Sequence, residues 1–479
     1  MNYPTFATRL SFAVFLALTT IAARPSFAET LSAKSKPNFV VIFIDDMGYG
    51  DIEPFGSKLN KTPNLARMAD EGMKLTSFYV ASPVCTPSRA ALMTGCYPQR
   101  VGLAKGPGHI VLFPGDAHGL HPDEITIAET LKSVGYATGC FGKWHLGDQP
   151  QFLPTEQGFD VYYGIPYSND MWRGLKRWQF PDLPIMSGTK VVDLVKDMDA
   201  QATLCRRFTE QATAFIRQHK DGPFFVYVPH AFVHGPRRAS PRFMADGKSV
   251  EQAQVEEVDW SVGEILKTIR EAGVAENTLV LFTSDNGPAG GLSAGPLRGR
   301  KGSGYEGGHR EPTLAWWPGV IPAGSVCDEL ATAMDLLPTF AKLSGAAVPG
   351  DRVIDGKDIA ALLLAEPNAK SPHDRFFYQQ GGMLRAVRSG PWKLFVSGEL
   401  YNLDADLAEK TNVAADRPDV VATLRKLLDD FKTDLAANSR KVGVAKNART
   451  LVPRPGVDGE EGYRPTLSLP PVKKATKTP

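Results

Sequence analysis

The sequence predicts an α/β protein: a large, mostly parallel sheet flanked by helices, with a smaller C-terminal α+β subdomain. Three observations carry that reading. Between residue 37 and about residue 345, short β-branched or aromatic runs alternate with longer amphipathic stretches. Several of the short runs are apolar almost without a break, as a strand covered on both faces requires. Glycine or proline stands at nearly every junction between them. With 43% apolar and 22% charged residues over 479 positions, a disordered or fibrous chain is excluded. A net charge of +2 gives no reason to expect nucleic acid or an anionic membrane as partner.

Taken in order, the chain opens on Arg9, an apolar run from Leu10 to Ala22, and Ser26-Phe27-Ala28, a small-x-small site. This is the pattern of a secretory signal over residues 1–28, and the run is short for a membrane span. An exported chain, periplasmic or secreted, is expected. The unbroken runs Asn38–Ile44, Phe224–Val228 and Thr278–Thr283 read as central strands. Helical patterns cover Thr62–Gly72, Ser88–Met93, Ile125–Gly135, Met198–His219 and Val250–Gly273. The catalytic domain is placed at 37–365. Residues 366–440 read as the subdomain, with short antiparallel strands at Met383–Val396 and Glu399–Leu403 and a closing helix at Pro418–Ala436. From 444 to 479 an extended or disordered tail is expected. In an oxidising compartment, four of the five cysteines (Cys85, Cys96, Cys140, Cys205, Cys327) could form two bridges, leaving one thiol over.

Two of the strands run into acids. Val40–Ile44 is followed by Asp45-Asp46, and Leu279–Thr283 passes through Ser284 into Asp285-Asn286. In open α/β sheets ligands bind at the carboxyl ends of strands. If these two are parallel neighbours, three carboxylates and an amide carbonyl converge and need a positive partner. Oxygen-only ligation favours Ca²⁺ or Mg²⁺ over zinc. Either acidic pair alone would serve equally as a cap for the loop after it.

Between them lies Ser82-Pro-Val-Cys85-Thr86-Pro87-Ser88-Arg89. Pro87 suits a first helical turn, which puts Cys85 just before a helix N-terminus, where negative charge is favoured. Arg89, one turn on, can return a planar fork to the same point. A buried structural cysteine and a phosphatase-type thiolate are the alternatives; the latter places five residues between Cys and Arg, and here there are three.

Cys85-Thr-Pro-Ser-Arg followed by Ala-Ala-Leu-Met-Thr-Gly95 resembles the first pattern of the formylglycine-dependent sulfatases of the alkaline-phosphatase superfamily. Gly135 to Gly147, with Lys143-Trp-His145, resembles their second. The segments Asp45–Asp51, Ser284–Pro288, Gly302–Gly308 and Leu400–Asp404 look like theirs too. The resemblance implies an alkaline-phosphatase-like fold and hydrolysis of a sulfate ester, on a sulfated glycan or an aryl sulfate. It implies that a separate maturation enzyme oxidises Cys85 to formylglycine, whose hydrate attacks sulfur and later expels sulfate. Asp45, Asp46, Asp285, Asn286 and the modified residue 85 would hold Ca²⁺, with Mg²⁺ the less expected ion. Arg89 would steady the hydrate and offset the acids. Lys143, Lys301 and His234 would surround the sulfate, with His234 or Lys301 protonating the leaving oxygen and His145 taking the remaining proton. Ser168 aligns with a sulfate-contacting serine.

Of the two histidines after Tyr227, His230 is expected to support the site from behind or to serve packing, and His309 is expected at the pocket edge or the surface. Met171–Phe180 mixes aromatics with cations, which suits a sugar face or equally a surface loop. Two other functions are compatible with the motifs: a phosphodiesterase or phosphonate hydrolase of the same superfamily, and a non-catalytic glycan-binding relative.

Overall fold

The computed structural model describes Met1 and residues 36–454, apart from 177, 245 and 246. Residues 2–28 of the signal segment and residues 455–479 of the tail lie outside the described residues.

A ten-stranded sheet forms the frame. Its order is Ser325–Cys327, Met73–Leu75, Thr313–Trp316, Thr278–Ser284, Asn38–Ile44, Phe224–Pro229, Ala137–Lys143, Val161–Ile165, Leu183–Ser187 and Lys190–Val195. From Thr278–Ser284 through to Val161–Ile165 every pairing is parallel. Outside that block four pairings are antiparallel and the outermost, Ser325–Cys327 with Met73–Leu75, is parallel again, so five of the nine pairings are parallel, as the expected mostly parallel sheet requires. At one edge Leu183–Ser187 and Lys190–Val195 form a hairpin, which needs no crossover helix.

Asn38–Ile44 is buried along its whole length, which explains its unbroken apolar run. Val40, Ile42 and Ile44 face a core shared with the helices Leu204–Gln218 and Val250–Glu271. On the opposite face, Phe39 stacks on Phe340 of the helix Leu336–Ser344, with ring centroids 4.2 Å apart. Phe43 lies 5.5 Å from the Arg89 guanidinium of the helix Cys85–Thr94. Alternate side chains of one strand thus bind two helical layers. Gly142, next to Lys143, has φ 145°, and a Cβ there would meet the Pro229 carbonyl oxygen at 2.0 Å.

The C-terminal part is a four-stranded antiparallel sheet, Phe376–Gln380, Met383–Ser389, Trp392–Phe395 and Leu400–Asn402, with the helix Pro418–Asn438 against it. Its core is continuous with Tyr79, Ala91 and Tyr97 of the larger part. The chain then returns as a strap. Gly443–Val444 pairs antiparallel with His118–Gly119, Arg449 exchanges hydrogen bonds with Gln149 at 2.8 and 3.1 Å, and Leu451 and Val452 are buried. The beginning of the expected loose tail is therefore packed structure. All five cysteines are buried free thiols, so the two expected bridges do not form.

Candidate active site

The two acid-bearing strands are parallel neighbours, with Ile44 opposite Ser284. Asp45 and Asp285 therefore leave the sheet side by side. The Asp285 amide donates to the Ile44 carbonyl (2.8 Å) and the Asp46 amide to Asp285 Oδ1 (3.2 Å). Asp46 (φ 65°) and His145 (φ 60°) are non-glycine residues in the left-handed region, a strain that persists only where surroundings enforce it.

Cys85 is the first residue of its helix rather than the one before it, and every residue of that helix is buried. Its thiol points at Asp45 Oδ1 (3.4 Å). Burial first, then the Asp45 carboxylate, push that thiol well above its ordinary value. An unmodified thiol of this kind is a poor nucleophile at neutral pH.

Around it the charges interlock. Arg89 donates through Nη2 and Nε to Asp285 Oδ2 (2.7 and 3.1 Å) and through Nη1 to the Lys143 carbonyl (3.0 Å). Lys143 Nζ reaches Asp45 Oδ2 at 2.5 Å and Ser168 Oγ at 3.0 Å. Lys301 Nζ lies 2.7 Å from Asp46 Oδ1 and 3.6 Å from Cys85 Sγ. His234 Nε2 is 3.6 Å from Asp46 Oδ2. Asp45, Asp46, Cys85, Arg89, Lys143, Ser168, His234, Asp285 and Lys301 are thus brought to one place. Burial alone would raise the Asp45 carboxyl, but Lys143, His234 and Arg89 outweigh it and hold it well below the usual range. Asp285 is pushed to about 6 by burial and then by Asp45. Burial disfavours the charged form of Lys143 and of Lys301, yet Asp45 and Asp46 respectively overcome it and raise both.

The residues fit a hard cation. Asn286 Nδ2 donates to Asp46 Oδ1 (2.8 Å), but its own Oδ1 is buried without a hydrogen-bond partner. An orphaned acceptor beside three carboxylates is a costly arrangement unless a positive ion uses it. Ligand atoms of Asp45, Asp46, Cys85 and His234 also lie within 4.8 Å of one another.

His145 Nε2 is 3.0 Å from the Leu112 carbonyl, while Nδ1 is buried without a partner. A carbonyl only accepts, so Nε2 carries the proton and Nδ1 the lone pair. Burial, then Lys143 and Arg89, hold this imidazole well below its usual value, keeping it neutral. Leu112 escaped the sequence reading because its contribution is a main-chain carbonyl on an irregular loop. His230 bonds Ser261 Oγ at 2.9 Å in the core, away from the cluster. His309 is neither pocket edge nor surface: it is fully buried, bonded to the Val80 carbonyl (2.9 Å) and edge-on to Tyr378.

Acids able to gather a cation and cations able to gather an anion, set around one buried cysteine, suit the hydrolysis of charged esters. The particular class follows from comparison with known proteins. A model of the sulfatase family matches residues 37–346, and the chain belongs to that family. It is 40% identical over 407 residues to arylsulfatase A of Bos taurus, covering 79% of this chain and 78% of the relative. It is 39% identical over 379 residues to the N-acetylgalactosamine-6-sulfatase of Canis lupus familiaris, covering 75% and 72%. Among solved structures, Ps i-CgsB in complex with k-i-k-neocarrahexaose is 30% identical, with a TM-score of 0.74 over 83% of this chain and 93% of that one. The chain is a sulfuric ester hydrolase on an alkaline-phosphatase-like frame.

Proposed function

We propose that this enzyme is an exported, calcium-dependent sulfatase that acts through formylglycine at position 85 on a sulfated carbohydrate. The observation that carries the reading is the meeting of Cys85 with Asp45, Asp46, Asp285 and the orphaned Asn286 oxygen at the ends of two central strands. Cys85 is 3% exposed, so a maturation enzyme must convert it before the chain folds. The aldehyde hydrate supplies a nucleophile and an exit route that neither thiol nor serine offers. Asp45, Asp46, Asp285, Asn286 and the converted residue 85 would hold the calcium, which supplies Lewis acidity towards the sulfate and the attacking hydroxyl. An all-oxygen protein cage suits Ca²⁺ better than Mg²⁺, which keeps its waters.

The chain's own residues do the rest. Lys143, Lys301 and His234 hold the sulfate oxygens in a dry pocket, where fixed positive charge is worth most. Ser168 steadies Lys143 and reaches the same oxygens. Arg89 is locked on Asp285, so it offsets the acids and fixes the helix that carries position 85. The leaving oxygen takes its proton from His234 or Lys301, and the remaining hydroxyl gives one to His145 Nδ1. Among the described residues no helix is long and apolar enough to cross a membrane, which accords with export through the segment at 1–28. The sugar preference draws support from the relatives that are named for N-acetylgalactosamine 6-sulfate or hold neocarrahexaose.

The test pairs mass spectrometry with a hydrazide probe on the peptide carrying position 85, after expression with a formylglycine-generating partner. An aldehyde mass, hydrazone formation and sulfate release from 4-nitrophenyl sulfate are expected. Full sulfate release from protein that carries only unconverted cysteine would refute the mechanism, and faster turnover of the phosphate ester would move the enzyme to the phosphodiesterase reading.

A further inference from the structure

A half-open aromatic wall begins one residue from the catalytic histidine's anchor. Leu112 ties the wall to the chemistry: its amide donates to Thr86 Oγ1 (3.2 Å), next to Cys85, and its carbonyl holds His145. The following residue, Phe113, packs on the main core and stacks on His109, with centroids 3.8 Å apart and planes 10° apart. A second loop brings Trp178 edge-on to both, 5.7 Å from His109 at 83° and 5.4 Å from Phe113 at 75°. Phe180, buried, supports Phe113 from beneath at 5.2 Å. Trp178 is 42% exposed and Ile110 60%. The wall is therefore rooted at its base and open at its rim. Aromatic rings kept in water beside a binding pocket mark a surface that a ligand covers.

We infer that His109 and Trp178 form a specificity wall for the pyranose ring that carries, or adjoins, the sulfate group. The inference rests on the sulfatase reading and names a substrate class for it. The two rings stand nearly perpendicular, so they make a corner and not the parallel slot that a flat aryl group fills. A sugar offers such a corner a face of C–H bonds for the indole and a hydroxyl edge for the imidazole nitrogen. The Trp178 loop adds the exposed Lys176 and Arg173, the latter held in place by two 2.7 Å bonds to Asp182. These are the groups that meet hydroxyls or a further anionic substituent.

The experiment compares W178A, W178F, H109A and unaltered enzyme on N-acetylgalactosamine 6-sulfate, neocarrahexaose and 4-nitrophenyl sulfate, reading kcat and KM separately. W178A is expected to raise KM for the sulfated saccharide that the unaltered enzyme cleaves by ~10-fold, with kcat changed less than about twofold. W178F should recover most of the loss, H109A should follow W178A more weakly, and KM for 4-nitrophenyl sulfate should stay put. Equal effects on saccharide and aryl sulfate, an effect on the aryl sulfate alone, or no effect at all would overturn the wall. So would an unaltered enzyme that cleaves only the aryl ester. If the unaltered, aldehyde-bearing enzyme releases sulfate from none of the three, the sulfatase reading itself falls.

Discussion

Two clusters of buried charge sit in this molecule and behave in opposite ways. At the seam between the two sheets, Glu306 and Glu409 flank Lys393 at 3.0 and 2.8 Å, and all three side chains are fully buried. Tyr79 and Tyr378 each donate to Glu306 at 2.6 Å, and the Glu306 amide donates to Glu409 Oε2 at 2.7 Å. The seam consumes its charges locally. At the strand ends Asp45, Asp46 and Asp285 are matched by Arg89, Lys143 and Lys301, but an amide oxygen and an imidazole nitrogen are left over. Buried charge by itself thus says little about function. Buried acceptors with neither a hydrogen bond nor an ion pair, such as Asn286 Oδ1 and His145 Nδ1, say a great deal.

The sharpest way to break this contrast is to disable each cluster in turn. Cys85→Ala should lower turnover by at least ~10⁴-fold, since the nucleophile is gone, while thermal melting moves by only a few degrees. A variant that keeps its turnover would remove position 85 from the chemistry. Lys393→Met should do the reverse. It strands two buried carboxylates, a loss of roughly 3–5 kcal/mol, read as a lower denaturant midpoint, with kcat/KM of the folded fraction unchanged. If activity fell as steeply as stability, the seam would belong to the catalytic machinery.

A gentler probe is chelation. Stripping the cation should abolish sulfate release and lower stability by about 3 kcal/mol at a saturation of some hundredfold over Kd, and added calcium should restore both in a scanning calorimeter. The loss stays moderate because Lys143 and Lys301 can neutralise the acids on their own.

The smallest effect is that of acid on the seam. Burial would raise the Glu306 carboxyl, but Lys393, Arg310 and Arg388 hold it well below its ordinary 4.5. A depressed carboxylate contributes stability that is complete above its unfolded value and drains away as pH falls below it. Glu306 should therefore cost nothing between pH 7 and 5 and up to about 1.4 kcal/mol per pH unit below about 4.5. Comparing Glu306→Gln with unaltered protein by melting from pH 7 to 3 isolates this share, and identical pH curves would refute it.

The central frame was legible because burial on both faces writes itself as unbroken apolar sequence: Asn38–Ile44 was recognised to the residue. The flanking strands Val161–Ile165 and Leu183–Val195 were not, since they are short, interrupted by glycine and proline, and partly exposed at Val161 and Val192. Met198–His219 read as one helix but breaks after Gln201 into a short piece, whose start the Asp197 side chain caps by accepting from the Ala200 amide, and a longer one from Leu204. Within the site, side chains with a motif were readable, whereas the Leu112 carbonyl carried no signal. Glu306 lay inside a recognised motif, yet its purpose hung on Lys393, 87 residues later.

The returning strap has a consequence for biosynthesis. Residues 109–119 include Leu112, which holds His145, but their only strand partner in the structure described is Gly443–Val444, made more than three hundred residues afterwards. Until that strap emerges the rim has its local ties, Leu112 to Thr86 and to His145, but lacks its strand pairing, so the last main-chain support of this loop is added long after the loop itself.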